Sequence, residues 1–363
     1  MAPLPFLPNE ASRAFGSRPA LITADHSFSY EQYAGLVSAT AHKLPLAGIN
    51  PGQRLAFYLS NQWQYAIALM ACLHQRIPAV LFSPKLPPAR VKELAQRLNC
   101  KMLVLAGHAS ASDDFGNLRV VNISSFCAGA TETSAAHLKA SLPADQPATL
   151  IFTSGSTGTP KAALLSYGNH YFSALGANRN LPFGPGDRWL LSLPLYHVGG
   201  LAILFRAALG GGAVVFPENP RDLAGAIAKY RVTHVSLVAT QLYRLLQDPA
   251  AAKPLAQLKA ILIGGSAIPK SLIDRAVELG LPIHTTYGLT EMASQVTTTP
   301  PGASREMLAT SGRCLPHRQL DISPEGEIRV KGRTRFLGYV DGDKLVQPFD
   351  AQGWFATGDL GYM

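Results

Sequence analysis

Short apolar runs alternate with amphipathic stretches along most of the chain. Residues 54–59, 79–82 and 101–105 are apolar runs. Between and after them, 62–73 and 88–98 repeat their apolar positions with a helical period. An earlier helix is predicted to open at Ser29-Tyr-Glu-Gln32, which has capping-box spacing, and to continue through Leu44. Buried strands joined by helices of about ten residues are the mark of parallel βαβ units with both sheet faces covered. The pattern weakens from about residue 106 to 146, where Ala, Ser, Thr and Asp accumulate, and a connecting region is expected there. It resumes with strands at 148–153, 189–192, 213–216, 234–237, 260–263 and 282–286. Beyond about Pro300 the segments shorten and alternate between Gly and Pro breaks. Residues 319–322 and 327–331 read as antiparallel strands. The expected fold is α/β, with two βα-layered subdomains of mostly parallel sheet and a small antiparallel β-barrel. The regions expected are about 1–146, 147–300 and 301–363.

Composition agrees with a packed protein. Hydrophobic residues are 47% of the 363 and charged residues only 15%, which excludes a disordered chain. The net charge of +9 suits acidic ligands such as nucleotides but identifies no partner. Cys72, Cys100, Cys127 and Cys314 lie far apart with no C-x-x-C, so neither a disulfide framework nor a zinc ribbon is indicated. The first residues lack a basic segment followed by a long apolar one, and so do not form a signal peptide. The most apolar stretches are broken by His74-Gln-Arg76 and by Arg206, short of the ~18 uncharged apolar residues that a membrane span needs. A cytoplasmic protein without membrane insertion is expected. No Lys/Arg run interleaved with aromatics marks a nucleic-acid surface. A homo-oligomer is compatible with the sequence.

Three segments carry chemistry. The first is Thr153-Ser-Gly-Ser-Thr-Gly-Thr-Pro-Lys161, directly after an apolar strand. Its small residues let backbone N–H groups converge on one concavity suited to a polyphosphate. Gly155 and Gly158 open backbone conformations closed to other residues, and Lys161 adds a positive charge. It is not a Walker A loop, because Thr159 and Pro160 separate Gly158 from Lys161 and Ala162 follows. The second is Thr285-Thr-Tyr-Gly-Leu-Thr-Glu291. An aromatic beside Gly at a strand end can stack on a base, Thr290 can bond a phosphate oxygen, and Glu291 can bind Mg²⁺ through oxygen. A plain strand-to-helix turn with Thr290 as N-cap accounts for the same residues. The third is Gly353-Trp-Phe-Ala-Thr-Gly-Asp359, whose acid can accept both hydroxyls of a ribose, although Gly-Asp is also ordinary turn chemistry.

In this order the three segments resemble the adenylate-forming superfamily of acyl- and aryl-CoA synthetases, luciferases and peptide-synthetase adenylation domains. Gly264-Gly-Ser266 and Gly326-Glu-Ile-Arg-Val-Lys-Gly332 with Gly338-Tyr339 are minor matches, so the resemblance spans essentially the whole chain. It implies two half-reactions. A carboxylate attacks the α-phosphate of ATP to give an acyl-adenylate and pyrophosphate, and the thiol of CoA then takes the acyl group. The implied nucleotide-binding residues are Thr153, Ser154, Gly155, Ser156, Thr157, Gly158, Thr159, Lys161, Gly264, Gly265, Ser266, Thr286, Tyr287, Gly288 and Asp359. Thr290, Glu291 and His197 are the implied catalytic residues, with Glu291 on Mg²⁺. Members of the superfamily continue for roughly another hundred residues, the size of one small domain. A fragment without that C-terminal lid, largely inactive as it stands, is therefore expected.

The acid is less directly legible. No Asp lies between Trp189 and Phe205, so an amino-acid substrate is disfavoured. His197 can contact substrate or simply start a helix. Arg206 interrupts an otherwise apolar helix, and must either snorkel to solvent or face an anion. The stretch from Leu193 to Arg206 resembles that of o-succinylbenzoate–CoA ligases of menaquinone biosynthesis, as does Gly288-Leu-Thr-Glu-Met-Ala-Ser-Gln-Val296. In that subfamily the substrate is an aromatic keto-diacid whose non-reacting end meets the arginine. Ser294 would add a hydroxyl to the pocket. Another aryl- or medium-chain acyl-CoA synthetase, or a non-catalytic nucleotide-binding module, are the competing readings.

Overall fold

The computed structural model describes residues 2–107, 114–127, 138–153 and 160–363. Two large sheets organise it. The first has eight strands in the order Lys344–Val346, Gly338–Asp341, Lys161–Ser166, Pro147–Thr153, Ala79–Phe82, Leu55–Tyr58, Met102–Leu105, Arg119–Asn122. Pro147–Thr153 and the four strands after it in that order are parallel. The second has nine strands in the order Arg313–Cys314, Ser294–Thr298, Ile283–Leu289, Ala260–Ile263, His234–Leu237, Arg188–Leu190, Ala213–Val215, Pro19–Ile22, Ser27–Ser29. Its centre is parallel and its two ends antiparallel.

Side-chain alternation divides each sheet between two cores. In the first sheet Leu55, Phe57, Leu81 and Ile151 face a central core, while Ala56, Val80, Leu103 and Leu150 face an outer one with Val91 and Leu94. In the second, Trp189, Val214 and Leu262 join that central core, and Leu190, Val215, Ile261 and Ile263 pack on outer helices. The helices between the sheets are therefore buried on all sides. Tyr65 to His74 are all buried in helix Trp63–His74, and Gly200 to Ala208 in helix Val198–Gly210. Helices apolar all round belong in such a layer. The capping box at Ser29 and Gln32 is formed, and its helix is Tyr30–Leu46.

The sheets do not follow the boundaries expected at about 146 and 300. Pro19–Ile22 pairs with Ala213–Val215 in the second sheet, whereas Lys161–Ser166 and Gly338–Asp341 pair with each other in the first. Such pairings join segments distant in sequence, which local periodicity does not encode. The expected connection at 106–146 also holds an edge strand, Arg119–Asn122, parallel to Met102–Leu105, and a short helix, Ile123–Cys127. The strand is half exposed and four residues long, too short to show a period. Of the β-rich region expected at 301–363, Arg318–Ile322, Glu327–Gly332 and Phe355–Leu360 form a separate three-stranded antiparallel sheet, while Arg313–Cys314, Gly338–Asp341 and Lys344–Val346 extend the large sheets. Among the described residues, no helix is long and apolar enough to cross a membrane.

Candidate active site

A cavity of about 880 Å³ opens where the carboxyl ends of the second sheet's strands meet the first sheet and the small one. Ligands commonly bind in such crevices outside the strand ends. Its lining includes Thr153, Lys161, His197, Arg206, Gly264, Gly265, Thr286, Gly288, Thr290, Glu291, Ser294 and Asp359. One space thus gathers residues from five separated segments that the sequence singled out. Ser266, which is exposed, and Tyr287 are outside the lining. Ser154, Gly155, Ser156, Thr157, Gly158 and Thr159 lie outside the described residues. The two ends of their loop are fixed, because Thr153 and Lys161 are cross-strand partners.

At one end of the cavity, strand Ile283–Leu289 carries Thr286, Tyr287 and Gly288. It runs further than expected. Thr290–Met292 is a single 3-10 turn, so Thr290 does not cap an α-helix. The chain then reverses through Ala293 at φ 55° and Ser294 at φ 114°. The return brings the Ser294 carbonyl to 2.2 Å from where a Cβ on residue 288 would stand, so only glycine fits there. The reversal also delivers Ser294 to the cavity wall. Gly264 is similarly confined, since a Cβ would lie 2.5 Å from Thr286 Cγ2.

Tyr287 Oη donates to Asp359 Oδ2 at 2.7 Å. Burial, more than the neighbouring carboxylate, pushes the Tyr287 phenol well above its ordinary pKa, so it remains a donor. Glu291 is buried, and Tyr339 Oη donates to its Oε1 at 2.6 Å. Lys161 Nζ sits 5.2 Å from the centre of the Tyr339 ring. Tyr339 thereby joins the carboxylate and the loop lysine. The sequence displays it only as part of a structural signature, beside Gly338.

At the other end, Asn61 holds the segment before helix Val198–Gly210, accepting from Leu195 N at 2.8 Å and donating to Leu193 O at 2.9 Å. His197 is the N-cap residue of that helix, yet its ring makes no cap bond and lines the cavity. Partial burial and nearby Lys85 lower its pKa, which favours a neutral imidazole.

Arg206 does not snorkel. It is 2% exposed and its guanidinium lies 4.1 Å over Trp189. It donates to Asn178 Oδ1 at 2.8 Å, Leu181 O at 2.9 Å and Gln295 Oε1 at 3.3 Å. All three acceptors are neutral, and none of the ion pairs among the described residues includes Arg206. Burial, reinforced by nearby Arg318, pulls its pKa down to about 9. A cation at a cavity wall without a counter-ion is prepared for an anion. Asn178, Trp189 and Gln295, its partners, escaped sequence reading because only tertiary structure brings them to Arg206.

The family model for AMP-binding enzymes matches residues 9–340. The 2-succinylbenzoate–CoA ligase of Bacillus licheniformis is 32% identical over 361 residues, covering 95% of this chain and 74% of that protein. The o-succinylbenzoate CoA synthetase of Bacillus subtilis, solved with the acyl-adenylate OSB-AMP, superposes with a TM-score of 0.88 at 28% identity, covering 100% of this chain and 97% of that one. The same Bacillus subtilis protein with ATP and magnesium also gives a TM-score of 0.88 at 28% identity, covering 100% and 78%.

Proposed function

Because the chain belongs to the AMP-binding enzyme family, we infer that it activates a carboxylic acid with ATP and passes the acyl group to CoA, the acid being o-succinylbenzoate. The observation that carries the choice of acid is Arg206, buried with no carboxylate paired to it among the described residues, in a cavity whose lining also includes Glu291 and Asp359. A diacid has a second carboxylate for Arg206 besides the one to be activated.

In the first step a carboxylate oxygen bonds to the α-phosphorus and the bond to pyrophosphate breaks. In the second the CoA sulfur, its proton lost, bonds to the acyl carbon and AMP leaves. Both steps are governed by positioning and by neutralising charge. Lys161 and loop 153–159 hold the β- and γ-phosphates. Asp359 and Tyr287 hold the ribose, with Gly264 and Gly265 leaving room for adenine. Thr290 attends the α-phosphate. Glu291 is the residue to hold Mg²⁺. A single carboxylate fits this ion, which keeps several waters and takes its other ligands from phosphates. Mg²⁺ supplies charge neutralisation there. His197, Ser294 and Arg206 orient the acid.

The cytoplasm, where ATP and CoA are available, is the proposed location. Residues 1–363 alone are proposed to bind nucleotide but to turn over slowly. The rim formed by Gly358 and Asp359 is exposed, and water admitted there weakens charge stabilisation. The test is pyrophosphate release with o-succinylbenzoate, benzoate and octanoate, by this chain and by its fusion to the remaining quarter of a relative. Release confined to o-succinylbenzoate and accelerated in the fusion is expected. Preference for benzoate or octanoate transfers the chain to another acyl-CoA synthetase. ATP binding with no release from any acid makes it a nucleotide-binding module.

A further inference from the structure

Gln295 is buried on strand Ser294–Thr298 and lines the acyl end of the cavity. Its Oε1 is 3.3 Å from Arg206 Nη1 and its Nε2 2.7 Å from Thr298 Oγ1. Arginine has no acceptor, so the amide must show it the oxygen. The other end agrees with that orientation. The single proton of the Thr298 hydroxyl has Thr297 O at 2.7 Å and Thr286 Oγ1 at 2.9 Å to receive it. Thr298 Oγ1 is then left to accept from Nε2. The amide cannot flip, and its oxygen stays on the guanidinium.

Asn178 and Leu181 O supply the other two bonds, and Trp189 supports the flat face. These groups are dipoles that hold Arg206 without cancelling its charge. Among the described residues, three of the five N–H donors of the guanidinium are used, and two are open to a ligand. Glutamate at position 295 would have nearly the same shape and accept the same bond. It would also place a full negative charge beside Arg206, and a buried pair of that kind is strongly coupled.

We propose that Gln295 is a specificity-determining positioning residue, which aims Arg206 into the cavity and, being an amide, reserves its charge for the second carboxylate of the substrate. The proposal rests on reading this cavity as the site of a diacid.

The test measures dissociation constants on this chain for ATP and for two stable sulfamoyl analogues of the acyl-adenylate. One analogue keeps the non-activated carboxylate and the other lacks it. Gln295→Glu is expected to weaken the first by about tenfold or more, with ATP and the second analogue unchanged within about twofold. Gln295→Met removes the acceptor but adds no anion, and is expected to weaken the first analogue less than Gln295→Glu does. A purely structural amide gives the opposite order, since methionine departs further from glutamine, and that order overturns the proposal. Arg206→Leu separates the two levels of inference. If it leaves the first analogue unaffected, the diacid reading itself fails. If it weakens that analogue while Gln295→Glu does not, only the role of Gln295 fails. Should Gln295→Glu not fold, Asn178→Asp brings the charge to the opposite edge of the guanidinium. It is expected to weaken the first analogue selectively, and an unchanged constant overturns the proposal.

Discussion

The Tyr287 hydroxyl and the Asp359 carboxylate, 72 residues apart, meet at 2.7 Å and join the second large sheet to the small one. The bond engages one lone pair of Oδ2 and leaves Oδ1 open for the ribose proposed above. Asp359→Ala is expected to weaken ATP binding by about tenfold to a hundredfold, the range for a lost hydrogen bond to a charged group. Tyr287→Phe removes only the group that orients the carboxylate, and its effect is expected to be smaller. Calorimetric titration with ATP on folded variants decides this. Wild-type affinity in Asp359→Ala removes the ribose role.

A second relationship predicts metal dependence. Tyr339 donates to Glu291 Oε1 at 2.6 Å from a strand of the other sheet. Burial, and next the bond to Glu291, hold the phenol well above its ordinary pKa, so it stays protonated and donating. Tyr339→Phe frees the carboxylate to rotate. The Mg²⁺ concentration that half-saturates pyrophosphate release is expected to rise by about fivefold, as one hydrogen bond of ~1 kcal/mol would give. The KM for the acid should hardly move. An unchanged Mg²⁺ curve would assign Tyr339 to packing alone.

The parts of the molecule legible from sequence are those governed by neighbours in the chain. The capping box at Ser29 and the strands Ala79–Phe82, His234–Leu237 and Ala260–Ile263 follow from local chemistry. Motif residues Lys161, Glu291 and Asp359 stand out in the sequence because their spacing is local too, and all three line the cavity. What sequence reading missed is set by tertiary approach. Trp189 reads as one more strand residue, and Tyr339 only as part of a family signature beside Gly338. Gln295 and Asn178 are unremarkable amides until helix Val198–Gly210 brings Arg206 between them. The strand exchange between the sheets belongs to the same class. Nothing within 19–22 indicates that its partner is 213–215.

Acid sensitivity follows from two buried imidazoles. His170 stacks on Phe205 and bonds Thr149 at 2.9 Å, and burial lowers its pKa to about 3. His234 is held at about 4, again chiefly by burial, with Asp187 opposing. In the unfolded chain both bind a proton near pH 6.5. Between that pH and the folded values, the unfolded state carries the extra protons. Stability is therefore full above about pH 6.5 and falls as the pH drops, by at most ~1.4 kcal/mol per pH unit for each histidine. Denaturant midpoints between pH 7 and 4.5 should show the decline, above the range where most carboxylates titrate. His170→Phe should make the slope shallower by about one proton. A slope identical to wild type would mean that His170 is already protonated in the folded protein.

Arg206 provides the sharpest prediction, because its surroundings specify a fork rather than a charge. Its Nε, Nη1 and Nη2 point to three different acceptors, and its plane lies on Trp189. Lysine would retain the positive charge with one tetrahedral head. It could not satisfy Asn178, Leu181 and Gln295 together while also facing the cavity, nor stack in the same way. Its ammonium would further be expected to lose its proton more readily than a guanidinium when buried. Arg206→Lys is therefore expected to recover only part of the affinity lost in Arg206→Leu for an acyl-adenylate analogue with a second carboxylate. The deficit should grow as the pH rises toward the depressed pKa of the buried amine. ATP affinity should match wild type in both variants, if Arg206 meets the acid as proposed. The measurement is the dissociation constant of the analogue at pH 6.5 and 8.5. Full recovery by lysine at both pH values would reduce Arg206 to a source of charge, and equal losses for ATP would make it a packing residue.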